Sequence, residues 1–360
     1  MCRPKPRREK KFDMARMNQG WVLKQRPQHE VRSSDLELVE TPVAPLGPGQ
    51  ILVKNIYLSI DPTNRVWLSS RDQYLPPVGI GDVVRGVTIG IVEDSSSERF
   101  SPGDTVLLGQ GGWQQYSTYD ASAASRIRRR ENIPLTASLS VLGTTGLTAY
   151  TGFLDICRPN PGETLVVSAA AGAVGSIVGQ IAKIKGCRVI GIAGGPDKCK
   201  WISDELGFDG AIDYKSEDVG EALDRLCPGG VDMDFENVGG AIMDAVYSRM
   251  NVNGRMAVCG LISAYNSDGP MAGPTDFGRV LMNRLTIQGF VILDHFSRAR
   301  EAYGDLAAWI QSGQLRWKDH VIAGLDSAPE AMNRLFTGDH DGKLMVQIAD
   351  EPSSVSGAGR

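Results

Sequence analysis

The sequence predicts an α/β protein of two parts, a doubly wound parallel sheet domain and a smaller β-rich, barrel-like domain. Three observations predict it. Residues 164–184 run as an apolar strand, a turn of small residues and an amphipathic helix. From 141 to about 317, strand and helix signals alternate, the pattern of a parallel sheet covered by helices. Before that, short apolar runs are separated by glycine and proline, with no helical period.

Along the chain, residues 1–17 form a basic tail (Arg3, Lys5, Arg7, Arg8, Lys10, Lys11, Arg16) with two prolines, expected to be disordered. It has no serine before Asn18 and carries Glu9 and Asp13, so it reads poorly as a transit peptide. Met14 and Met17 are alternative starts. Residues 18–141 hold strand candidates at Ile51–Ile60, Val83–Val92 and Asp104–Leu108. Turns fall at Pro45, at Gly47-Pro48-Gly49 and at Ser101-Pro102-Gly103-Asp104. Residues 142–317 hold candidates at 164–168, 187–193, 210–213, 231–236, 254–259 and 284–292. Residues 318–349 return to strand-like segments (Val321-Ile322, Leu344–Ile348) and are expected to rejoin the first domain. Residues 350–360 read as a flexible tail.

The turn carries the chemistry. Ala170, Gly172 and Gly175 occupy the three glycine positions of a dinucleotide-binding fingerprint, with Ala173 and Val174 between the last two. Gly172 would let a pyrophosphate reach backbone N–H groups at a helix start, and Gly175 would let the helix pack closely on the strand. Val174, Ile177, Val178, Ile181 and Ile184 form one helical face, which Gly186 ends. The alternative is an ordinary strand–helix–strand unit with a tight turn.

The end of the second strand selects between nicotinamide cofactors. An NAD site carries an acid there, about 20 residues beyond the glycines. This chain has Ala193-Gly194-Gly195, with Lys198 close behind. A small opening beside a cation suits a 2′-phosphate and hence NADPH. Asp197 could instead accept from a ribose, and Lys198 could be a solvated lysine on the next helix.

Composition excludes several classes. The chain is 42% hydrophobic with net charge −4, which gives no sign of a nucleic-acid surface. No apolar run approaches a membrane span, and no secretory signal is evident. The six cysteines (2, 157, 187, 199, 227, 259) make no CxxC pair, so neither a disulfide framework nor a zinc knuckle is expected, and a cytoplasmic setting fits. The run Arg126–Arg130 reads as a solvated surface.

Six segments in order resemble the medium-chain dehydrogenase/reductase superfamily, in its zinc-independent prostaglandin reductase and alkenal double-bond reductase branch. They are Tyr57–Pro62, Leu142–Tyr150, Ala169–Gly175, Leu206–Asp209, Phe235–Gly240 and Cys259–Asn266. The resemblance covers about residues 18–349. It implies a GroES-like substrate domain, a Rossmann domain, a cleft between them and a homodimer formed through the Rossmann sheet edge. It implies that Gly194, Lys198 and Tyr214 hold the adenosine phosphate end and that Asn237 lies near the cofactor. Cys259, Gly260, Ile262, Ser263, Phe290 and Ile292 would line the nicotinamide pocket. Tyr265 would be the hydroxyl donor, against the alternative of a structural loop tyrosine. Where the family usually shows asparagine in Gly-Asp-Asn-x-Gly-Lys, this chain has His340, read as an exposed loop histidine. Tyr57, Asp61, Arg65 and Tyr150 read as structural.

The zinc-binding members carry Gly-His-Glu where this chain has Arg85-Gly86-Val87. With four histidines and scattered cysteines, no converging ligand set is evident, so no metal site is expected. The resemblance implies NADPH-dependent reduction of the carbon–carbon double bond of α,β-unsaturated ketones or aldehydes, without metal. Quinone reduction, a zinc-free alcohol dehydrogenase and a non-catalytic NADPH-binding sensor are the alternatives.

Overall fold

A computed structural model describes residues 16–267 and 269–352. The basic tail before Arg16, Cys2 and the last part of the C-terminal tail, from Ser353, lie outside the described residues.

The first part of the chain forms β1 (Met17–Leu23), β2 (Leu36–Pro42), β3 (Gln50–Ser59), β4 (Thr88–Ser95), β5 (Thr105–Leu108), β6 (Tyr116–Asp120) and β7 (Ala124–Arg126). The second forms β8 (Thr164–Val167), β9 (Arg188–Ala193), β10 (Gly210–Asp213), β11 (Val231–Glu236), β12 (Met250–Val258) and β13 (Thr286–Gly289). β14 (Asp319–Ala323) and β15 (Lys343–Gln347) follow.

β8 to β13 make one parallel sheet in the order β10-β9-β8-β11-β12-β13. Its central strands are buried on both faces, which is why they read as continuous apolar runs: Leu165, Val166 and Val167 are all fully buried. The helix Gly175–Ile184 turns Ile177, Val178 and Ile181 into the core. Gly179 makes room for a neighbour, since a Cβ there would come 2.5 Å from Phe208 Cε1. From β8 the chain builds outward to β10, then crosses back to β11 on the other side. That reversal opens a crevice at the carboxyl ends of β8 and β11.

The other sheet runs β14-β15-β3-β4-β5-β7, with β6 also on β3 and with β1 and β2 paired separately. The pairs are antiparallel except β14 with β15. Lys343, 2% exposed at the start of β15, donates to the Ile60 carbonyl (2.7 Å) and Asp61 Oδ1 (2.9 Å). This joins the last strand to the end of β3. Arg65, 1% exposed, donates to the carbonyls of His29 and Pro27. Tyr150 is buried and donates to Asp305 (2.7 Å).

Two strand expectations are corrected. The 284–292 run is a strand only over Thr286–Gly289, and a 3₁₀ segment begins at Ile292. Phe290 leaves the strand to pack edge-on to Phe235, at 6.3 Å between ring centres, in space that Gly152 keeps open. Likewise Val83–Val87 is irregular, bridging Val22 at Val83, and β4 begins only at Thr88.

Candidate active site

A continuous cleft of about 1440 Å³ runs from the small-residue turn to the end of β3. Single ligand pockets are usually about 300–1,000 Å³. This one has room for a dinucleotide and a second molecule.

At one end, Gly172, Ala173, Val174 and Gly175 line the cleft. Ala169 takes positive φ (+50°) and its carbonyl accepts the Gly172 N–H at 2.9 Å. The N–H groups of Ala173 and Val174 meet no acceptor among the described residues, leaving two donors at the start of a ten-residue helix. Gly175 is required by contact, since a Cβ there would lie 2.5 Å from the Ala169 carbonyl oxygen. Ala170 does not line the cleft, so its expected place at the cofactor is corrected. Its side chain is fully buried towards Gly191, and its N–H is spent on the Ile192 carbonyl (2.9 Å).

Gly194, Lys198 and Tyr214 line the same end, joined by Lys215. A Cβ on Gly194 would meet Tyr214 at 2.8 Å and Lys215 at 3.0 Å, so glycine keeps both side chains at the opening. Asp197 is exposed and not part of the lining. Asp213, at the end of β10, accepts from the N–H groups of Gly195 and Lys215, which hold its carboxyl below the usual range. Lys198 is half-buried and donates to the Gly338 carbonyl at 2.6 Å; burial lowers its pKa, against the pull of Asp341 and Asp339.

His340 corrects the reading of an exposed loop histidine. It is half-buried, lines the cleft, and sets Nδ1 3.1 Å from the Arg334 carbonyl. Burial first, then the charge of Lys198, pushes it down to about 4, so the ring is neutral at neutral pH.

At the crevice, Glu236 Oε1 accepts from Ser168 Oγ (2.8 Å), from the Gly239 N–H (2.8 Å) and from the Val238 N–H. Asn237 donates through Nδ2 to the Ser168 carbonyl (2.7 Å). The following loop hangs from these residues. Cys259 and Gly260 donate to the Glu236 carbonyl, Ile262 to Asn237 and Ser263 to Val238. Asn237, Cys259, Gly260, Ile262, Ser263, Tyr265, Phe290 and Ile292 all line the cleft. Burial and the Glu236 carboxyl push the Cys259 thiol up to about 12, so it is no nucleophile at neutral pH. Burial also raises the Tyr265 phenol above its ordinary value. Its oxygen accepts the Leu261 N–H at 3.2 Å, leaving its own proton to donate elsewhere.

Comparison with known proteins gives this arrangement its context. A profile described as "N-terminal domain of oxidoreductase" matches residues 19–127, and one described as "Zinc-binding dehydrogenase" matches 173–312. The chain is 40% identical over 339 residues to the NADPH-dependent curcumin reductase of Escherichia coli, covering 93% of this chain and 98% of that one. It is 36% identical to the 2-alkenal reductase (NADP(+)-dependent) of Nicotiana tabacum, covering 93% and 98%. The crystal structure of CurA in complex with NADPH from Vibrio vulnificus superposes with a TM-score of 0.88 at 40% identity, over 92% of this chain and all of that one. The chain belongs to the zinc-independent branch of the medium-chain dehydrogenase/reductase family. Despite the second profile's description, no group of three or more His, Cys, Asp or Glu is arranged to hold a metal among the described residues. At Gly86, where zinc-binding members place histidine, a Cβ would lie 2.6 Å from Leu58 and 2.9 Å from Trp113, so a side chain there would force one of them to shift.

Sequence reasoning missed Glu236, Ser168 and Lys215. Lys215 follows the recognised Tyr214 directly and was within reach of the cation argument applied to Lys198. The others gain meaning only from distant partners.

The lowered pKa of His340 fixes a pH response. Between about 6.5 and about 4 the unfolded chain binds a proton there that the folded chain does not, so stability falls as pH falls through that window. His340→Asn removes this contribution. The drop in melting temperature between pH 7.5 and pH 4.5 should be smaller in the variant than in the wild type; equal drops would show that His340 is not buried neutral.

Proposed function

We propose that this enzyme reduces the carbon–carbon double bond of α,β-unsaturated ketones or aldehydes with NADPH. The observation that carries the reading is Tyr265, a protonated phenol on the cleft whose oxygen is held by the Leu261 N–H. The residues at the other end fit the cofactor. The open N–H groups of Ala173 and Val174 suit a pyrophosphate, and Lys198 with Lys215 beside Gly194 suits a 2′-phosphate.

When bound, NADPH supplies a hydride to the β-carbon of the substrate. Tyr265 donates a hydrogen bond to the substrate carbonyl oxygen and holds the enolate charge that develops there. The phenol stays protonated at neutral pH, so it offers a donor. Cys259, kept as a neutral thiol, adds no negative charge beside that oxygen. The α-carbon then takes a proton to give the saturated carbonyl.

The division of labour follows the sheets. Residues 142–317 form the cofactor-binding Rossmann domain, and 18–141 with 318–349 form the GroES-like substrate domain. The pairing of β15 with β3 supports the return of the chain to the first domain.

The working state is a homodimer through the β13 edge. Phe277 (66% exposed), Leu281 (74%) and Met282 (69%) form an apolar face just before β13, which among the described residues pairs on one side only, with β12. The setting is the cytoplasm, supported by five free thiols and by the lack of any helix long and apolar enough to cross a membrane among the described residues.

Three outcomes follow. Tyr265→Phe should lower kcat on an enone by about 10²-fold, the range for loss of one oxyanion donor, with NADPH affinity retained. Unchanged turnover would remove Tyr265 from the mechanism. Lys198→Ala should weaken NADPH about 10- to 100-fold, the range for a charged hydrogen bond, and NADH hardly at all. Equal weakening, measured by fluorescence titration, would rule out the 2′-phosphate role. Light scattering after gel filtration should give the dimer mass for the wild type and the monomer mass for Leu281→Asp. A monomeric wild type would end the dimer reading.

A further inference from the structure

The backbone bonds that hang the Tyr265 loop on the sheet stop just short of Tyr265. Cys259, Gly260, Ile262 and Ser263 donate to carbonyls at 236–238. From Ala264 onward the chain turns on itself: Ala264 donates to the Leu261 carbonyl, Tyr265 to Ile262 and Ser267 to Ala264. Asn266 Oδ1 is buried and meets no donor among the described residues. A turn bonded to itself more than to its surroundings opens at low cost, and this one carries the phenol.

Arg71 ties the turn from outside. Its Nη2 donates to the Gly269 carbonyl (2.9 Å) and its Nη1 to the Ala264 carbonyl (3.4 Å). These two carbonyls bracket Tyr265. The Ala264 oxygen also takes the N–H (3.3 Å) and the hydroxyl (3.2 Å) of Ser267, so three donors meet on it. A planar guanidinium with parallel donors is suited to gripping two oxygens at once, and it does so here at both ends of the turn.

The grip comes from a firm base. Arg71 stands 193 residues before Ala264, just after the helix Pro62–Trp67. The segment 68–78 that presents it is closed where it begins and ends. Val78 donates to the Trp67 carbonyl (2.9 Å), and Arg26 donates to the carbonyls of Leu68 (3.0 Å), Ser69 (3.1 Å) and Val78 (3.1 Å). Leu68 and Val78 are buried beneath it. The Ser69 hydroxyl accepts the Arg71 N–H (3.3 Å). Arg71 is thus held out by a fixed loop, and the Tyr265 turn gains from it an anchor that its own sequence lacks.

We propose that Arg71 is a positioning residue for the reduction: by clamping the Ala264 and Gly269 carbonyls it holds the Tyr265 phenol where the enolate oxygen forms. This rests on the reading of Tyr265 as the donor. A donor to a developing oxyanion works at about 2.7–3.1 Å from that oxygen. A shift of about 1 Å can cost on the order of 10²-fold in rate, so the firmness of the turn matters as much as the presence of the hydroxyl. Arg71 itself touches neither substrate nor cofactor in this role and acts through the turn alone.

The test compares the full-length wild type with Arg71→Met, Tyr265→Phe and the double variant, using NADPH and one enone. Arg71→Met should lower kcat about tenfold, a smaller loss than removal of the phenol, and leave the NADPH dissociation constant unchanged. Arg71→Lys, which keeps the charge and loses the fork, should recover part of that loss. In the Tyr265→Phe background, Arg71→Met should change kcat by less than about twofold, because a residue acting through the phenol has nothing left to act on. Full turnover in Arg71→Met, or the same loss repeated in the Tyr265→Phe background, overturns the proposal. A second readout needs no turnover. Amide hydrogen exchange at Tyr265 and Ser267 should quicken in Arg71→Met, while Cys259 and Ser263, bonded to the strand end, keep the wild-type rate. Unchanged exchange at Tyr265 and Ser267 also overturns the proposal. Full turnover in Tyr265→Phe would defeat the donor reading, and this role with it. A loss in Tyr265→Phe beside full turnover in Arg71→Met would defeat the Arg71 assignment alone.

Discussion

One buried carboxylate sets the geometry on which the cleft depends. Glu236, fully buried at the end of β11, gathers Ser168 Oγ and the N–H groups of Val238 and Gly239 on a single oxygen. It thereby ties the carboxyl ends of β8 and β11, the two strands between which the sheet reverses. Burying a charge is costly unless hydrogen bonds satisfy it. Asp234, two residues away on the same face of β11 and also fully buried, has no partner among the described residues for either side-chain oxygen. Burial raises both carboxyls, and Asp234, which also faces Glu236, is driven upward without opposing donors. The donors concentrated on Glu236 oppose its rise and fix its carboxyl at the strand end, where it organises the turns.

From that point two walls are built. Backbone bonds from 259–263 to 236–238 hang the Tyr265 loop on the strand end, so the phenol is positioned by the sheet rather than by the loop's own stiffness. On the opposite side, the segment 338–343 closes the cleft. Lys198 reaches the Gly338 carbonyl, Gly172 bridges Gly342, and Lys343 holds the end of β3. A ligand phosphate that draws on Lys198 competes with the Gly338 contact. In the proposed function the cofactor and this segment are therefore coupled through one ammonium group.

What could be read from the sequence was what is local or periodic. β8 and β9 fall within one residue of where their apolar runs place them, at 164–167 and 188–193, because strands buried on both faces have nothing to alternate with. The turn was legible because glycine at 172 and 175 answers contacts within a few residues, to the Ala169 carbonyl. Ala170 was misplaced because spacing does not say which way a turn residue faces; here it faces the core. The reading of His340 failed for another reason, that its burial is created by a segment meeting Lys198, some 140 residues earlier. Ser168 and Glu236 are 68 residues apart, and Arg85 lies under Trp67 from a different segment. Such pairs leave no trace in local pattern, so the residues that tune the site were the least legible part of it.

The resulting electrostatics favour one kind of chemistry. The acids close to the cleft are occupied: Asp61 by Lys343, Asp213 by the N–H groups of Gly195 and Lys215, and Glu236 by its strand-end donors. The groups left facing the cleft are donors: open N–H groups, lysines, a protonated phenol and a guanidinium. Such a lining favours negative charge in the cleft over positive charge. Conjugate hydride addition creates negative charge and spreads it from carbon to the carbonyl oxygen, so one neutral donor such as Tyr265 is well matched to it. Removing a hydride from an alcohol asks instead for a group that stabilises an alkoxide before any delocalisation is available. At the position where relatives with zinc place a histidine, Leu58 and Trp113 crowd Gly86 so closely that a side chain would force one of them to shift. The same packing that seals the β-rich domain there withholds the histidine ligand that the zinc-binding relatives use.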